Sequence, residues 1–132
     1  MSRFYSYLNT ASTLISQFDG TMPLAIFLKQ FFAREKKFGS KDRKQISSLI
    51  YNFYRVASAI VDSTLEEKLL IAIFLTENTS NQILELLNPT LNEKINNSLA
   101  EKFEFLGDKI VISKLFPFEN ELSEVINKDI FR

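Results

Sequence analysis

The chain has 132 residues, of which 45% are hydrophobic and 24% are charged, and its formal net charge is zero. This composition is typical of a globular domain and excludes a disordered chain. Cys and His are both absent, which excludes disulfides, Cys/His metal sites, thiol nucleophiles and His general bases. Three Gly and three Pro are too few for the turns of a β-sandwich or barrel, so the composition favours an all-α fold.

Targeting signals are absent from the sequence. The N-terminus has no apolar run of the kind found in signal peptides. The longest unbroken apolar stretch, Leu69 to Leu75, is far shorter than the roughly 20 residues of a membrane helix. We therefore expect a cytoplasmic protein with no membrane segment and no bound metal.

The first three predicted helices have apolar residues at steps of three and four. They are expected over Arg3–Phe18, from Pro23 onward, and over Lys41–Val61, where Ser40 is a suitable N-cap. Their predicted core-facing residues are Phe4, Leu8, Ala11, Ile15 and Phe18 in the first helix, Leu24, Phe27, Leu28, Phe31 and Phe32 in the second, and Ile46, Leu49, Ile50, Phe53, Ala57 and Ile60 in the third.

The second half of the chain contains two sequences typical of capping boxes. Ser63-Thr64-Leu65-Glu66 predicts the start of a fourth helix, and Thr90-Leu91-Asn92-Glu93 predicts the start of a sixth that ends near Gly107. The remaining predictions are a fifth helix over Ser80–Leu87, a short extended piece over Ile110–Ile112 and a last helix over Glu119–Lys128. No internal repeat or linker appears, so residues 1–132 are expected to form a single domain.

Charge is distributed unevenly along the chain. Residues 1–61 contain nine basic and three acidic residues, whereas residues 62–108 contain three basic and nine acidic residues. Such an asymmetry predicts a partner that contacts the first half.

The basic residues are concentrated between Lys29 and Lys44, and several precede or begin the third helix. Cations in the first turn of a helix oppose the helix dipole, and such local conflicts occur often at functional sites. Further along the same helix, polar residues continue on the face that carries Lys41 and Lys44. The predicted RNA-binding residues are Lys36, Lys37, Lys41, Arg43, Lys44, Asn52 and Arg55.

The segment from Phe38 to Arg55, Phe-Gly-Ser-Lys-Asp-Arg-Lys-Gln-Ile followed by Leu-Ile-Tyr-Asn-Phe-Tyr-Arg, resembles a motif of the N-terminal domain of Sun/Fmu ribosomal-RNA cytosine-5 methyltransferases. That domain is similar to NusB, an all-α RNA-binding protein. The resemblance implies a NusB-like bundle of about five to seven helices. In the family motif Asp42, Arg43 and Arg55 match; Asp42 and Arg43 are expected to fix the start of the third helix, and Arg55 to contact RNA.

The same resemblance implies that the chain positions ribosomal RNA for a C-terminal methyltransferase domain. That second domain would bind S-adenosylmethionine and carry a catalytic Cys, and the present chain would be an N-terminal fragment with no catalytic, cofactor-binding or metal residues of its own. Two alternatives stay open at this point. One is a free-standing NusB-like factor that binds RNA with a protein, and the other is a protein-interaction module whose basic residues meet an acidic surface.

Overall fold

The computed structural model describes residues 3–115. Over this range the chain is all-α with seven α-helices, which confirms the predicted all-α fold of five to seven helices. The predicted last helix over Glu119–Lys128 lies outside the described residues. The helices are α1 Arg3–Gln17, α2 Leu24–Arg34, α3 Ser40–Val56, α4 Leu65–Thr76, α5 Gln82–Leu87, α6 Pro89–Glu93 and α7 Leu99–Leu106.

The chain divides into two compact units, Met1–Tyr51 and Asn52–Arg132, which we call unit 1 and unit 2. The boundary falls within α3, so most of that helix belongs to unit 1. The single domain expected from the sequence stays a prediction.

In unit 1, the buried face of α1 differs in part from the predicted one. Leu8 and Ala11 are buried as expected, and Tyr7 and Leu14 are buried with them. Phe4, Ile15 and Phe18 are half-buried instead. Apolar and aromatic residues cover a wide face of this helix, so the spacing of apolar residues alone does not identify which of them are buried.

Helix α2 buries much less than its sequence predicts. Of its eleven residues, Leu28 is the one that is buried. The predicted core residues Leu24, Phe27, Phe31 and Phe32 are half-buried, and Ile26 is 45% exposed. Its rings pack on other aromatic rings of unit 1, with centroids 5.1 Å apart both for Phe27 with Phe18 and for Phe31 with Phe32. Adjacent positions on a helix point about 100° apart, so Phe31 and Phe32 cannot both lie at the centre of one narrow face.

Helix α3 begins at Ser40 itself, so the predicted N-cap is the first helical residue. The backbone N–H of Gly39 donates a hydrogen bond to Oδ2 of Asp42 at 3.2 Å, and the Gly39 carbonyl accepts from the N–H of Arg43 at 3.0 Å. A carboxylate that reaches back to the N–H before a helix is half of a capping box. The helix ends at Val56 rather than Val61, and a 3-10 turn over Ala57–Ala59 follows.

Helix α4 lies in unit 2 and contains a longer run of consecutive buried residues than any other helix of the described range. Its six consecutive residues Leu69–Phe74 are all buried, as is typical of a helix that is apolar on every side. The N-cap of α4 is one residue later than predicted: the side chain of Thr64, rather than that of Ser63, accepts a hydrogen bond from the backbone N–H of Glu67 at 3.1 Å.

The predicted sixth helix is two helices, α6 and α7. Asn88 caps α6 by accepting the N–H of Leu91 at 3.2 Å, and Pro89 takes the first helical position. The predicted box at Thr90 is therefore wrong, because a stronger start signal precedes it. Helix α7 has its own capping box, formed by Ser98 and Glu101.

The extended piece predicted over Ile110–Ile112 is present only at its start. Ile110 forms an isolated antiparallel bridge with Ile60, flanked by a hydrogen bond from the Val111 N–H to the Ala59 carbonyl at 2.7 Å. Ile112 already begins a 3-10 turn that continues to Lys114. The bridge joins two distant parts of unit 2.

A buried lysine closes the end of α4. Lys102 of α7 is 4% exposed, and its Nζ donates to the carbonyls of Phe74 at 2.7 Å and Glu77 at 2.8 Å. These carbonyls lie at the negative end of the helix dipole, where a cation is stabilising. Lys102 was not predicted to be buried, although a long lysine side chain can bury its stem along apolar surface while its amine reaches a polar partner.

Candidate interaction surface

Five of the predicted binding residues lie within nine consecutive positions of unit 1. Lys36 and Lys37 occupy the turn between α2 and α3, and Lys41, Arg43 and Lys44 belong to the first turns of α3. All five side chains are exposed. We call these five residues the basic cluster.

The other two predicted binding residues lie further along α3 and belong to unit 2. Arg55 is exposed, as predicted, whereas Asn52 is half-buried. Neither is a member of the basic cluster.

The positive charge of the basic cluster is not neutralised within the described part of the chain. Among residues 3–115, none of its five cations forms an ion pair, and the ion pair that this range contains joins Lys109 and Glu67 in unit 2 at 3.5 Å. Of the two acidic residues near the cluster in sequence, Glu35 is exposed, and Asp42 accepts a hydrogen bond from Tyr7 while it also interacts electrostatically with Lys41. Five like charges within residues 36–44 repel one another and oppose the dipole of α3, so this arrangement lowers the stability of the free chain.

Asp42 holds the basic cluster against α1. Its Oδ1 accepts a short hydrogen bond from the hydroxyl of Tyr7, which is buried in the middle of α1. This bond, followed by the one from the Gly39 N–H, holds the pKa of the Asp42 carboxyl below its usual value. Burial, and then the hydrogen bond to Asp42, raise the pKa of the Tyr7 hydroxyl. The structural role expected for Asp42 is therefore confirmed.

Arg43 does not share that role. Its side chain is exposed and, within the described residues, takes part in no hydrogen bond or ion pair. It lies two residues after Lys41, which places it about 200° away around α3 and hence on another face. The backbone of Arg43, and not its guanidinium, contributes to the start of the helix.

A small open cavity adjoins the basic cluster. Its volume is about 170 Å³, and all of its lining residues belong to unit 1. Phe31 and Phe38 are half-buried in its wall with ring centroids 5.8 Å apart, and Nζ of Lys37 lies 5.3 Å from the Phe38 centroid. The lining residues are Thr10, Thr13, Phe31, Glu35, Lys37 and Phe38.

The sequence does not reveal this cavity. Phe31 was assigned to the core, and the two threonines of α1 have no pattern that distinguishes them from other surface residues. One signal is present in the sequence: Phe38 is a large aromatic residue in an otherwise basic and polar turn. An apolar side chain at such a position usually packs against other apolar side chains or forms part of a binding site.

Two further features of the described range bear on function. It contains no group of three or more Asp and Glu side chains arranged to hold a metal ion. None of its helices combines the length and the apolar character that crossing a membrane requires.

The described part of the chain is thus an all-α protein whose most distinctive surface combines uncompensated cations with an aromatic cavity, which is typical of a binding surface. A family model described as tumor necrosis factor alpha-induced protein 8-like matches residues 24–130. Because this match covers most of the sequence, the chain belongs to the tumor necrosis factor alpha-induced protein 8-like family. No curated protein and no solved structure gives a significant match.

This family membership corrects the resemblance drawn from the sequence. The identification with the NusB-like domain of Sun/Fmu methyltransferases is wrong, and so are the functions derived from it: RNA binding, ribosomal RNA as the partner, and a C-terminal methyltransferase domain. The S-adenosylmethionine expected in that second domain depended on the same resemblance, and no other observation supports it.

The cause of the error is visible in the structure. The resemblance was most specific over Phe38–Arg55, which is essentially one helix and the turn before it. A polar helix start followed by an amphipathic stripe occurs in many unrelated proteins, because capping and burial impose it. Asp42, which contributed to the resemblance, is held by Tyr7 for structural reasons.

Proposed function

We propose that the chain is a protein-interaction domain in which the basic cluster binds an acidic surface of a partner protein. The observation that carries this proposal is that five exposed cations lie within residues 36–44 and that none is paired with a carboxylate inside the described range. Membership of the tumor necrosis factor alpha-induced protein 8-like family favours this alternative over the RNA-binding one.

Electrostatics makes the basic cluster suitable for association. Unpaired charges of one sign create a field that accelerates the encounter with a partner of opposite charge. A partner's carboxylates would also relieve the repulsion among the cations, so binding would remove a cost that the free chain bears. Contacts of this exposed kind are weakened by salt, because screening acts over about 10 Å at 0.1 M ionic strength.

The position of the basic cluster is fixed rather than left to a loose loop. The hydrogen bonds of Asp42 to Tyr7 and Gly39 join the start of α3 to α1, and three of the five cations project from that helix start. Binding groups on helices are placed more reproducibly than those on loops, which reduces the ordering cost of association.

The experiment compares two double variants, each of which removes two exposed lysines. Lys41→Ala with Lys44→Ala removes two cations of the basic cluster, and Lys29→Ala with Lys114→Ala is the control of equal charge outside it. The probe is immobilised poly-L-glutamate, titrated at several salt concentrations. We expect the cluster variant to bind about fivefold more weakly than the control, at roughly 0.5 kcal/mol per exposed contact. Equal affinities of the two variants at low salt would contradict the proposal.

A further inference from the structure

We infer that the partner's acidic segment carries one aromatic side chain and that this side chain inserts into the cavity beside the basic cluster, with carboxylates next to Lys36 and Lys37. This inference rests on the proposed function and names the partner segment that the same surface would take.

The size and lining of the cavity point to a single side chain. Its volume of about 170 Å³ is well below the roughly 300 Å³ at which small-molecule pockets begin. Phe31 and Phe38 lie tilted by 37° to each other and already pack with Phe32, at 5.1 Å from Phe31 and 5.8 Å from Phe38, so an incoming ring would extend this aromatic group in edge or offset geometry. A buried aromatic anchor in a pocket is the usual source of most of the affinity in a protein interface.

The surroundings of the cavity have the composition of an interface. Helix α2 contributes Phe31 to the wall, and both Phe31 and Phe38 remain only half-buried there. Uncovered apolar side chains with charged residues around them are typical of binding sites. Here the surrounding charges are those of the basic cluster, and Lys37 belongs to both the cluster and the cavity wall.

The charged residues of the wall also fix where the partner's carboxylates belong. Glu35 repels an acidic residue of the partner, whereas Lys37 and its sequence neighbour Lys36 attract one. Thr13 adds little polarity, because its hydroxyl already donates to the carbonyl of Asn9 at 3.0 Å. An aromatic residue flanked by Asp or Glu matches this wall in both charge and apolar character.

The test begins with a random peptide library displayed on phage and selected against the full chain. We expect the enriched peptides to share an aromatic residue with neighbouring Asp or Glu. The most enriched peptide is then synthesised with a fluorescent label, together with a version in which Ala replaces the aromatic residue. Binding of both is measured by fluorescence anisotropy, and we expect the Ala version to bind at least about tenfold more weakly.

Two protein variants locate the site. Thr13→Phe fills the cavity from an exposed position of α1, and Ser16→Phe adds the same ring to the same helix outside the cavity. They are well matched, since each removes a hydroxyl that donates to the carbonyl four residues earlier, at 3.0 Å from Thr13 and 2.9 Å from Ser16. We expect Thr13→Phe to lower peptide affinity about tenfold and Ser16→Phe to leave it unchanged, with matched melting curves for both.

The outcomes separate this inference from the proposed function. Acidic peptides without an aromatic residue would overturn the anchor and leave the acidic partner in place. Enriched peptides that are not acidic would overturn both. Equal affinity of the Thr13→Phe and Ser16→Phe variants would overturn the cavity as the site even if the aromatic residue is enriched. The peptide with Ala for the aromatic residue keeps the test decisive if Thr13→Phe disturbs the fold, because it leaves the protein unchanged.

Discussion

Helix α2 of unit 1 and helix α4 of unit 2 differ in how completely they bury their apolar residues. In unit 2, α4 buries six consecutive residues, and the buried amine of Lys102 is satisfied by two carbonyls. In unit 1, α2 buries Leu28 alone, and the basic cluster has no ion-paired carboxylate within the described range. The difference teaches that a helix rich in Phe is not necessarily a core helix. Apolar residues that remain half-exposed beside unpaired charges are better explained by binding than by stability.

Truncating one apolar side chain in each helix tests most directly whether α2 and α4 contribute differently to the core. Leu69→Ala in α4 removes a side chain that is fully buried, whereas Phe32→Ala in α2 removes a larger one that is only half-buried. We expect the free energy of unfolding to fall by about 3–4 kcal/mol for Leu69→Ala and by about 1–2 kcal/mol for Phe32→Ala, measured by urea unfolding. An equal or larger loss for Phe32→Ala would mean that α2 is a core helix after all.

Replacing Lys102 should give the next largest loss of stability and tests whether its buried amine stabilises unit 2. Lys102→Met keeps the length of the side chain but leaves the carbonyls of Phe74 and Glu77 without their donor. We expect the free energy of unfolding to fall by about 2 kcal/mol, since hydrogen bonds to charged groups are worth more than neutral ones. Lys114→Met, at an exposed position, is the control and should change stability little. Indistinguishable unfolding curves for the two variants would show that Lys102 does not stabilise the end of α4.

In unit 1, the lowered pKa of Asp42 should make the free energy of unfolding depend on pH. Its pKa is lowered in the folded state, chiefly by the hydrogen bond from Tyr7, so it stabilises the fold above its unfolded pKa of about 3.9. That contribution is lost as the pH falls through the lower folded value. We expect the wild type to lose more stability than Asp42→Asn between about pH 6 and about pH 3, measured by urea unfolding across this range. Parallel curves would show that the carboxylate contributes no charge-dependent stabilisation.

The smallest predicted effect has the opposite sign. Replacing Lys41 and Lys44 by Ala removes cations from the first turns of α3, where the helix dipole disfavours them. We expect the double variant to be more stable by a few tenths of a kcal/mol per residue, which thermal unfolding can detect. A clear loss of stability would mean that these lysines are structural, and the comparison between the units would then lose its basis.

Much of the fold could be predicted from the sequence, because helices are encoded by local spacing. The first residue of a helix is harder to predict where two neighbouring residues could each serve as its N-cap. Thr64 with Glu67 satisfies the capping-box pattern as well as Ser63 with Glu66 does, and Asn88 with Pro89 precedes Thr90. Choosing between such neighbours requires knowing which one the packing of the following helix places at its first turn.

The site could be predicted only where its residues are close in sequence. The basic cluster spans nine positions and was found from charge alone. The cavity combines threonines of α1 with phenylalanines around the end of α2, and the bond that fixes the cluster joins Tyr7 to Asp42 across 35 positions. Contacts of that range leave no periodic signal in a single sequence. The same limit explains the mistaken family, since the resemblance was specific only over one helix and the turn before it, where the family match extends over residues 24–130.

The central claim is that the exposed surface of unit 1, rather than unit 2, binds an acidic partner. Hydrogen–deuterium exchange of the full chain with and without saturating poly-L-glutamate tests it most directly, because protection reports binding residue by residue. We expect added protection over the end of α2, the following turn and the start of α3, with exchange in α4 unchanged. Protection confined to α4–α7, or none in unit 1 at saturation, would contradict it.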